Sequence, residues 1–147
     1  MIQSIDTYED LLNMGNALIP FYKKMPYAQK KPNPERFAEV WGKFVEQGIG
    51  KVIALKEDDK IIGGIGLLTT PALEDGANVT SEAFWYIDES KRGKGLKLFK
   101  AAEKYAHSVG SERFYMVHLE NSMPQKLKKF YEKLGFKKME TGYIKEI

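Results

Sequence analysis

The chain of 147 residues has no cysteine. That excludes a disulfide framework, a thiolate metal site and a cysteine nucleophile. Histidine is almost as scarce: His107 and His118 are too few to build a histidine metal centre, and no metal is expected. No apolar run approaches the roughly 18 residues that a membrane span needs, so no membrane association is expected. Residues 1–12 lack the basic start and apolar stretch of a secretory signal, which sets the expectation of a cytoplasmic protein. Internal repeats, low-complexity tracts and Gly/Ser linkers are also missing, and residues 1–147 read as one domain. What is present suits a packed core, with 43% hydrophobic and 12% aromatic residues.

Net charge is only +3, but it is unevenly distributed. Residues 1–90 carry 9 basic against 14 acidic side chains, and residues 91–147 carry 14 against 6. A basic half on a near-neutral chain points to an anionic partner, such as a phosphate-bearing cofactor or nucleic acid. The plainer reading is that lysines coat the solvent faces of two helices.

Hydrophobic spacing gives the element order. Thr7–Asp10 is a capping-box start, followed by apolar residues at helical spacing up to Tyr22, with Pro20 kinking or ending the helix. Asn33-Pro34 opens a second helix with the stripe Phe37, Val40, Trp41, Phe44 and Val45. Lys51–Lys56 and Ile61–Leu68 read as a hairpin around Glu57–Lys60, and Val79–Ile87 as a third strand, with a further strand at Ile2–Asp6. The run Gly63-Gly64-Ile65-Gly66 suggests a bulge or a close backbone approach. A helix from Gly95 to Val109, a strand Arg113–Leu119 and a helix starting at the Ser122–Gln125 capping box follow. Phe136–Met139 and Gly142–Ile147 read as two final strands. This order implies one central sheet covered by helices.

The most informative stretch runs from Ala83 to Phe99. A strand leads into a basic turn containing Arg92, Gly93, Lys94 and Gly95, and the turn leads directly into a helix. Glycines let backbone N–H groups approach an anion closely, and the helix N-terminus adds favourable partial charge. Arg92, Lys94 and Lys97 supply full charges beside those amides. This is a candidate diphosphate cradle, although neither a Walker A loop nor G-x-G-x-x-G is present.

The turn is similar to the pyrophosphate loop Q/R-x-x-G-x-G/A of the GNAT acetyltransferase superfamily. A second motif, Lys129-Phe-Tyr-Glu-Lys-Leu-Gly-Phe136, resembles the end of the family's last helix and the strand after it. The resemblance covers Lys51 to the C-terminus, and the wording from His118 to Phe136 is most like GNATs of phages and prophages. It implies an α/β (α+β) fold with a mixed, largely antiparallel sheet and helices on both faces. It also implies acetyl-CoA as co-substrate, held by Arg92, Gly93, Lys94, Gly95, Leu96 and Lys97. In one count Arg92 and Gly95 match the family's loop; in the other, set by Leu98-Phe99 as the apolar pair, Gly93 and Gly95 are its glycines. The strands Val79–Ile87 and Arg113–Leu119 would splay to admit the pantetheine arm. Backbone N–H groups around Tyr86, Ile87 and Asp88 would face the thioester, and Asn121 would contact the arm.

By the same resemblance Tyr131 is the general acid that protonates the leaving thiolate. Its place on an apolar helix stripe equally suits a core tyrosine hydrogen-bonded at its tip. Glu82, alternating with Phe84 and Tyr86 along its strand, is the candidate base for the acceptor ammonium; a cation-binding or solvent-facing role is the alternative. His118 is a second candidate base, and His107 is expected at the surface. Phe21, Tyr22, Tyr27 and Trp85 could wall an acceptor pocket, while Lys126, Lys128 and Lys129 read as a solvated helix face, with contact to the CoA 3′-phosphate as the alternative. The expected function is N-acetylation of a small-molecule or peptide amine, and a homodimer is a compatible assembly. The rival reading is a non-catalytic module binding nucleic acid or a protein through its basic half. No interleaved basic–aromatic motif supports nucleic acid as a partner.

Overall fold

In the computed structural model, residues 1–25, 30–118 and 123–147 are described. The chain runs β1 (Ile2–Ile5), α1 (Tyr8–Ala17), α2 (Ile19–Tyr22), α3 (Pro34–Glu46), β2 (Gly50–Glu57), β3 (Lys60–Pro71) and β4 (Asn78–Ile87). A 3₁₀ turn (Glu89–Lys94) leads into α4 (Gly95–Ser108), followed by β5 (Arg113–Tyr115) and α5 (Pro124–Lys133). The strands form a five-stranded sheet in the order β1-β2-β3-β4-β5. Every pairing is antiparallel except β4 with β5. Among the described residues no helix is long and apolar enough to cross a membrane.

Local chemistry explains the element boundaries. Thr7 accepts a hydrogen bond from the Asp10 N–H at 3.1 Å, and Asn33 caps α3 by accepting from the Arg36 N–H at 3.0 Å. Asp58 and Asp59 both take positive φ, at 49° and 61°, as a two-residue primed hairpin turn requires. That turn leaves Glu57 at the end of β2, paired with Lys60.

The sheet separates two apolar clusters. On one face α1 to α3 pack Leu11, Met14, Leu18 and Trp41 against Val52, Ala54 and Phe84. On the other, Leu98 and Ala102 of α4 cover Ile53, Leu55, Ile62, Ile65 and Leu67. The glycine run in β3 is a close approach to the first of these clusters. A Cβ on Gly66 would stand 2.2 Å from the Phe84 ring and 2.8 Å from Trp41, and one on Gly64 would stand 2.3 Å from the end of Met14.

The β3–β4 register contains a bulge. Gly66 pairs with Phe84 and Leu67 with Glu82, so Ala83 has no residue opposite it. Directly opposed residues share a face of the sheet, and Leu67 belongs to the α4 cluster. Glu82 is therefore on the α4 side, while Phe84 and Tyr86 pack on the α1–α3 side. Strict alternation would have grouped all three.

The C-terminal half differs from the sequence reading in three places. β5 ends at Tyr115, short of the expected Leu119, which lies outside the described residues. α5 starts at Pro124 with Met123 at its cap and no side-chain capping bond. Ser122, the expected cap, also lies outside the described residues. Residues 136–147 form no strand. Phe136 is engaged by the rings of Phe99, Phe114 and Tyr131, while Met139, Tyr143 and Ile144 are 75%, 95% and 65% exposed. Alternating apolar residues make a strand only where a neighbouring surface buries one face, and the adjacent edge offers three residues.

Gly66→Ala is expected to destabilise the fold by about 1–3 kcal/mol through overpacking against two aromatic rings. Gly64→Ala should cost less, because the flexible Met14 thioether can swing aside. Urea unfolding of both variants checks the order; equal stability of Gly66→Ala and wild type would contradict the close approach.

Candidate active site

β4 and β5 share only a short parallel ladder, Val79–Ser81 with Arg113–Tyr115. Past Ser81, β4 continues to Ile87 with no strand on that side among the described residues. The ladder direction decides which amides face this open edge. The Asp88 N–H donates to the Ile62 carbonyl at 2.7 Å, and Tyr86, two residues earlier and opposite Gly64, points its N–H the same way. Trp85 and Ile87 therefore direct theirs to the open edge. Of the three expected backbone donors only Ile87 is so placed; those of Tyr86 and Asp88 face β3, and Trp85 joins Ile87 instead. The Tyr86 side chain lies on the other face, where with Asp88, Asn13, Asn16 and Lys60 it lines a cleft of about 490 Å³.

The bulge brings Glu82 to the point where the strands part. One carboxylate oxygen, Oε1, is buried without a hydrogen-bond partner. Burial pushes the Glu82 carboxyl up to about 8, opposed by a hydrogen bond from the Val117 backbone. Tyr131, 7% exposed on α5, donates its hydroxyl to the Val117 carbonyl at 2.8 Å. Burial raises the tyrosine above its ordinary range, and the nearby Glu82 charge raises it further. Val117 thus contacts both candidate catalytic groups, Glu82 through its N–H and Tyr131 through its carbonyl.

Two further buried polar atoms here lack partners, Trp85 Nε1 and His118 Nδ1. Unpaired polar atoms inside a fold are costly and few, and these three lie on β4 and on the segment after β5. His118 is partly buried beside Val117, whereas His107 is exposed. Trp85 packs against Phe99 and Phe130 on the α4–α5 face, with ring centroids at 6.0 and 6.4 Å. Phe21 packs on Tyr86 at 5.7 Å across the sheet, so Phe21 and Tyr22 do not share a wall with Trp85. Tyr27 and Asn121 lie outside the described residues.

The basic turn begins where Asp88 Oδ1 accepts from the Ser90 N–H at 3.0 Å. The Lys91 N–H donates to the Asp88 carbonyl and the Gly95 N–H to that of Arg92, so these amides close the 3₁₀ winding. Gly93 is exposed, and a Cβ there would meet nothing within 4 Å. The chain's own packing does not require glycine at that position; close approach by an external anion would. Gly95 is buried against Ile87 and Trp85, at 3.6 and 3.9 Å from its Cβ position. Leu98 and Phe99 are buried while Leu96 and Lys97 are exposed, which is the register that counts Gly93 and Gly95 as the loop glycines.

The turn's charges already have counter-ions. Lys91 meets Glu57 at 2.9 Å, and Lys94 meets the other oxygen of the same carboxylate. These lysines pull Glu57 down to about 2. Arg92 lies 3.5 Å from Glu89, which also pairs with Lys24, and its guanidinium contacts the Met123 thioether at 2.8 Å. Lys126, Lys128 and Lys129 are exposed along α5. Asp75 is engaged by Arg113. Among the described residues no group of three or more metal-ligating side chains is gathered.

The environment of Glu82 predicts how stability varies with pH. Its carboxyl stands at about 8 in the fold against an ordinary 4.5. Across that window the folded chain keeps a proton that the unfolded chain releases, so stability falls as pH rises and levels off above it. Glu82→Gln should flatten this slope, with its advantage over wild type growing towards alkaline pH. Melting temperatures measured across the window check it; parallel curves would mean that Glu82 titrates as an ordinary surface carboxylate.

No curated protein matches the sequence. Among solved structures, a ribosomal-protein-alanine N-acetyltransferase from Brucella melitensis biovar Abortus 2308 superposes with a TM-score of 0.74 at 13% identity, covering 100% of this chain and 98% of the other. An aminoglycoside acetyltransferase from an uncultured soil metagenomic sample gives 0.75 at 13% identity, covering 100% and 97%. A transcriptional regulator from Bacillus halodurans C-125 gives 0.76 at 19% identity, covering 100% of both chains. At these identities the likeness is one of fold. Residues 15–136 match the Acetyltransferase (GNAT) family, and the chain belongs to that family.

Proposed function

We propose that the protein transfers an acetyl group from acetyl-CoA to a primary amine by direct attack of the amine on the thioester. The observation that carries this reading is that Glu82 and Tyr131 both bond to the backbone of Val117, close to where β4 and β5 part. When bound, acetyl-CoA supplies an acyl group activated by its thioester. The residues that would hold it are the outward amides of Trp85 and Ile87, the Arg92–Gly95 turn, and Leu96 and Lys97 at the start of α4. Asn121 retains its proposed contact with the pantetheine arm. Amides fixed in a strand are preorganised donors, which need no reorientation as charge develops on an oxygen.

Glu82 accepts a proton from the acceptor ammonium, directly or through water. Only its ionised form can do so, so activity rises with pH through the titration of this group. Tyr131 holds its proton at neutral pH and gives it to the departing sulfur, and the second proton lost by the nitrogen as the amide forms returns to the tyrosine oxygen, directly or through water. A covalent enzyme intermediate is not needed. The acceptor is a small-molecule or peptide amine, in keeping with neighbours named for ribosomal-protein alanine and for aminoglycosides. A cytoplasmic setting, a homodimer and kinship with phage and prophage members belong to the same reading.

Tyr131→Phe removes one oxygen and keeps the ring. Turnover on an amine acceptor should fall about 10²-fold or more, with acetyl-CoA affinity by calorimetry little changed. A stable Phe variant with full activity would end the general-acid assignment. The pH profile of kcat/KM should carry an acidic limb with an apparent pKa near 8 that disappears in Glu82→Gln. Thermal stabilisation by a nucleic-acid oligomer but not by acetyl-CoA would favour the non-catalytic binding module instead.

A further inference from the structure

We propose that Glu57 is an affinity-determining residue of the cofactor turn, an internal carboxylate that holds Lys91 and Lys94 in the free protein and releases them to the diphosphate. The proposal rests on the acetyl-CoA reading above. It starts from the hairpin: the positive-φ pair Asp58-Asp59 turns the chain tightly and leaves the Glu57 side chain beside the 3₁₀ turn. Lys94 is 37 residues further along the sequence, so the fold alone makes this contact.

The geometry imitates an anion. One oxygen of Glu57 meets Lys91 at 2.9 Å and the other meets Lys94. These lysines bracket Arg92 and Gly93, and Gly93 is the position open to close approach. A carboxylate offering two oxygens to two ammonium groups occupies them as a diphosphate would. The contact is also exchangeable. The side chains of Glu57, Lys91 and Lys94 are 33%, 39% and 43% exposed, and ion pairs this accessible to water are weakly held.

Two opposed consequences follow for binding. Holding the lysines lowers the entropy cost of ordering them around a ligand. Keeping a negative charge beside the diphosphate costs Coulomb energy in the complex. Repulsion is the larger effect, because ion pairs this exposed order the lysines only weakly whereas a carboxylate cannot shed its charge. Glu57 carries that charge at any physiological pH, since its two lysines hold its carboxyl down at about 2. Its service is selectivity: it neutralises the turn towards stray phosphates and yields only to a ligand that the strand edge positions as well.

The test is calorimetry of wild type and Glu57→Gln with CoA and, separately, with inorganic pyrophosphate, each at two salt concentrations. The variant should bind CoA about three- to tenfold more tightly, as removal of one like charge near a surface phosphate predicts. It should also gain affinity for pyrophosphate and lose affinity more steeply with salt, because the turn gains net positive charge. Melting curves establish that the variant is folded. CoA binding by wild type with no gain, or a loss, in a folded variant overturns this proposal alone. Failure of both proteins to bind CoA overturns it together with the cofactor reading.

Discussion

One unpaired residue, Ala83, sets the rest of the site. In a regular β4, Glu82 would lie with Phe84 and Tyr86 under α1 and α3, on a face already filled by Trp41 and Phe37. The extra residue reverses the face of everything before it while leaving the pairing with β3 intact on both sides. It turns the carboxyl towards Val117 and Tyr131, and a bulge adds local twist where β4 leaves β5. The glycines of β3 belong to the same arrangement. With no side chains of their own, Gly64 and Gly66 let Met14, Trp41 and Phe84 pack closely over the face opposite α4.

Charge is handled by a similar division. The basic excess of the C-terminal half is met at the turn by acids of the N-terminal half and of the turn itself, with Glu57 facing Lys91 and Lys94, and Glu89 facing Arg92. On α5, Lys128 pairs with Glu132 at 4.0 Å, while Lys126 and Lys129 face solvent. A near-neutral chain can therefore carry a locally positive turn without a large exposed field. On the proposal above, an anionic ligand competes with these built-in carboxylates for the turn.

The capping signals at Thr7 and Asn33, the Glu57–Lys60 turn, the close approach at Gly64 and Gly66 and the Leu98-Phe99 register were all legible in the sequence. Each is local chemistry or a periodicity within a few residues. The family resemblance likewise rested on contiguous motifs, and it led correctly to the fold. What escaped depends on partners far along the chain. The face of Glu82 turns on a bulge that only its pairing with Leu67 reveals. The direction of the Tyr86 and Asp88 amides depends on which neighbour strand receives them, and the Glu57 contact joins segments 37 residues apart. The expected strands in residues 136–147 failed for a related reason: a period-two pattern is a promise that only a neighbouring surface can keep, and Met139, Tyr143 and Ile144 have none.

The closeness of Glu82 and Tyr131 gives the proposed chemistry an internal order. The Glu82 charge is one of the causes that raise the Tyr131 hydroxyl, after burial. While Glu82 is ionised and ready to accept a proton, Tyr131 is therefore held at its least acidic and keeps its own. Once Glu82 has taken the amine proton, that repulsion is gone and Tyr131 becomes the stronger acid, at the stage when the sulfur needs a proton. In this proposed mechanism the two groups act in sequence, and the burial of Glu82 and Tyr131 strengthens the effect of the Glu82 charge on the tyrosine. In this proposal Ala83 matters because the bulge it forms decides which face of the sheet carries Glu82.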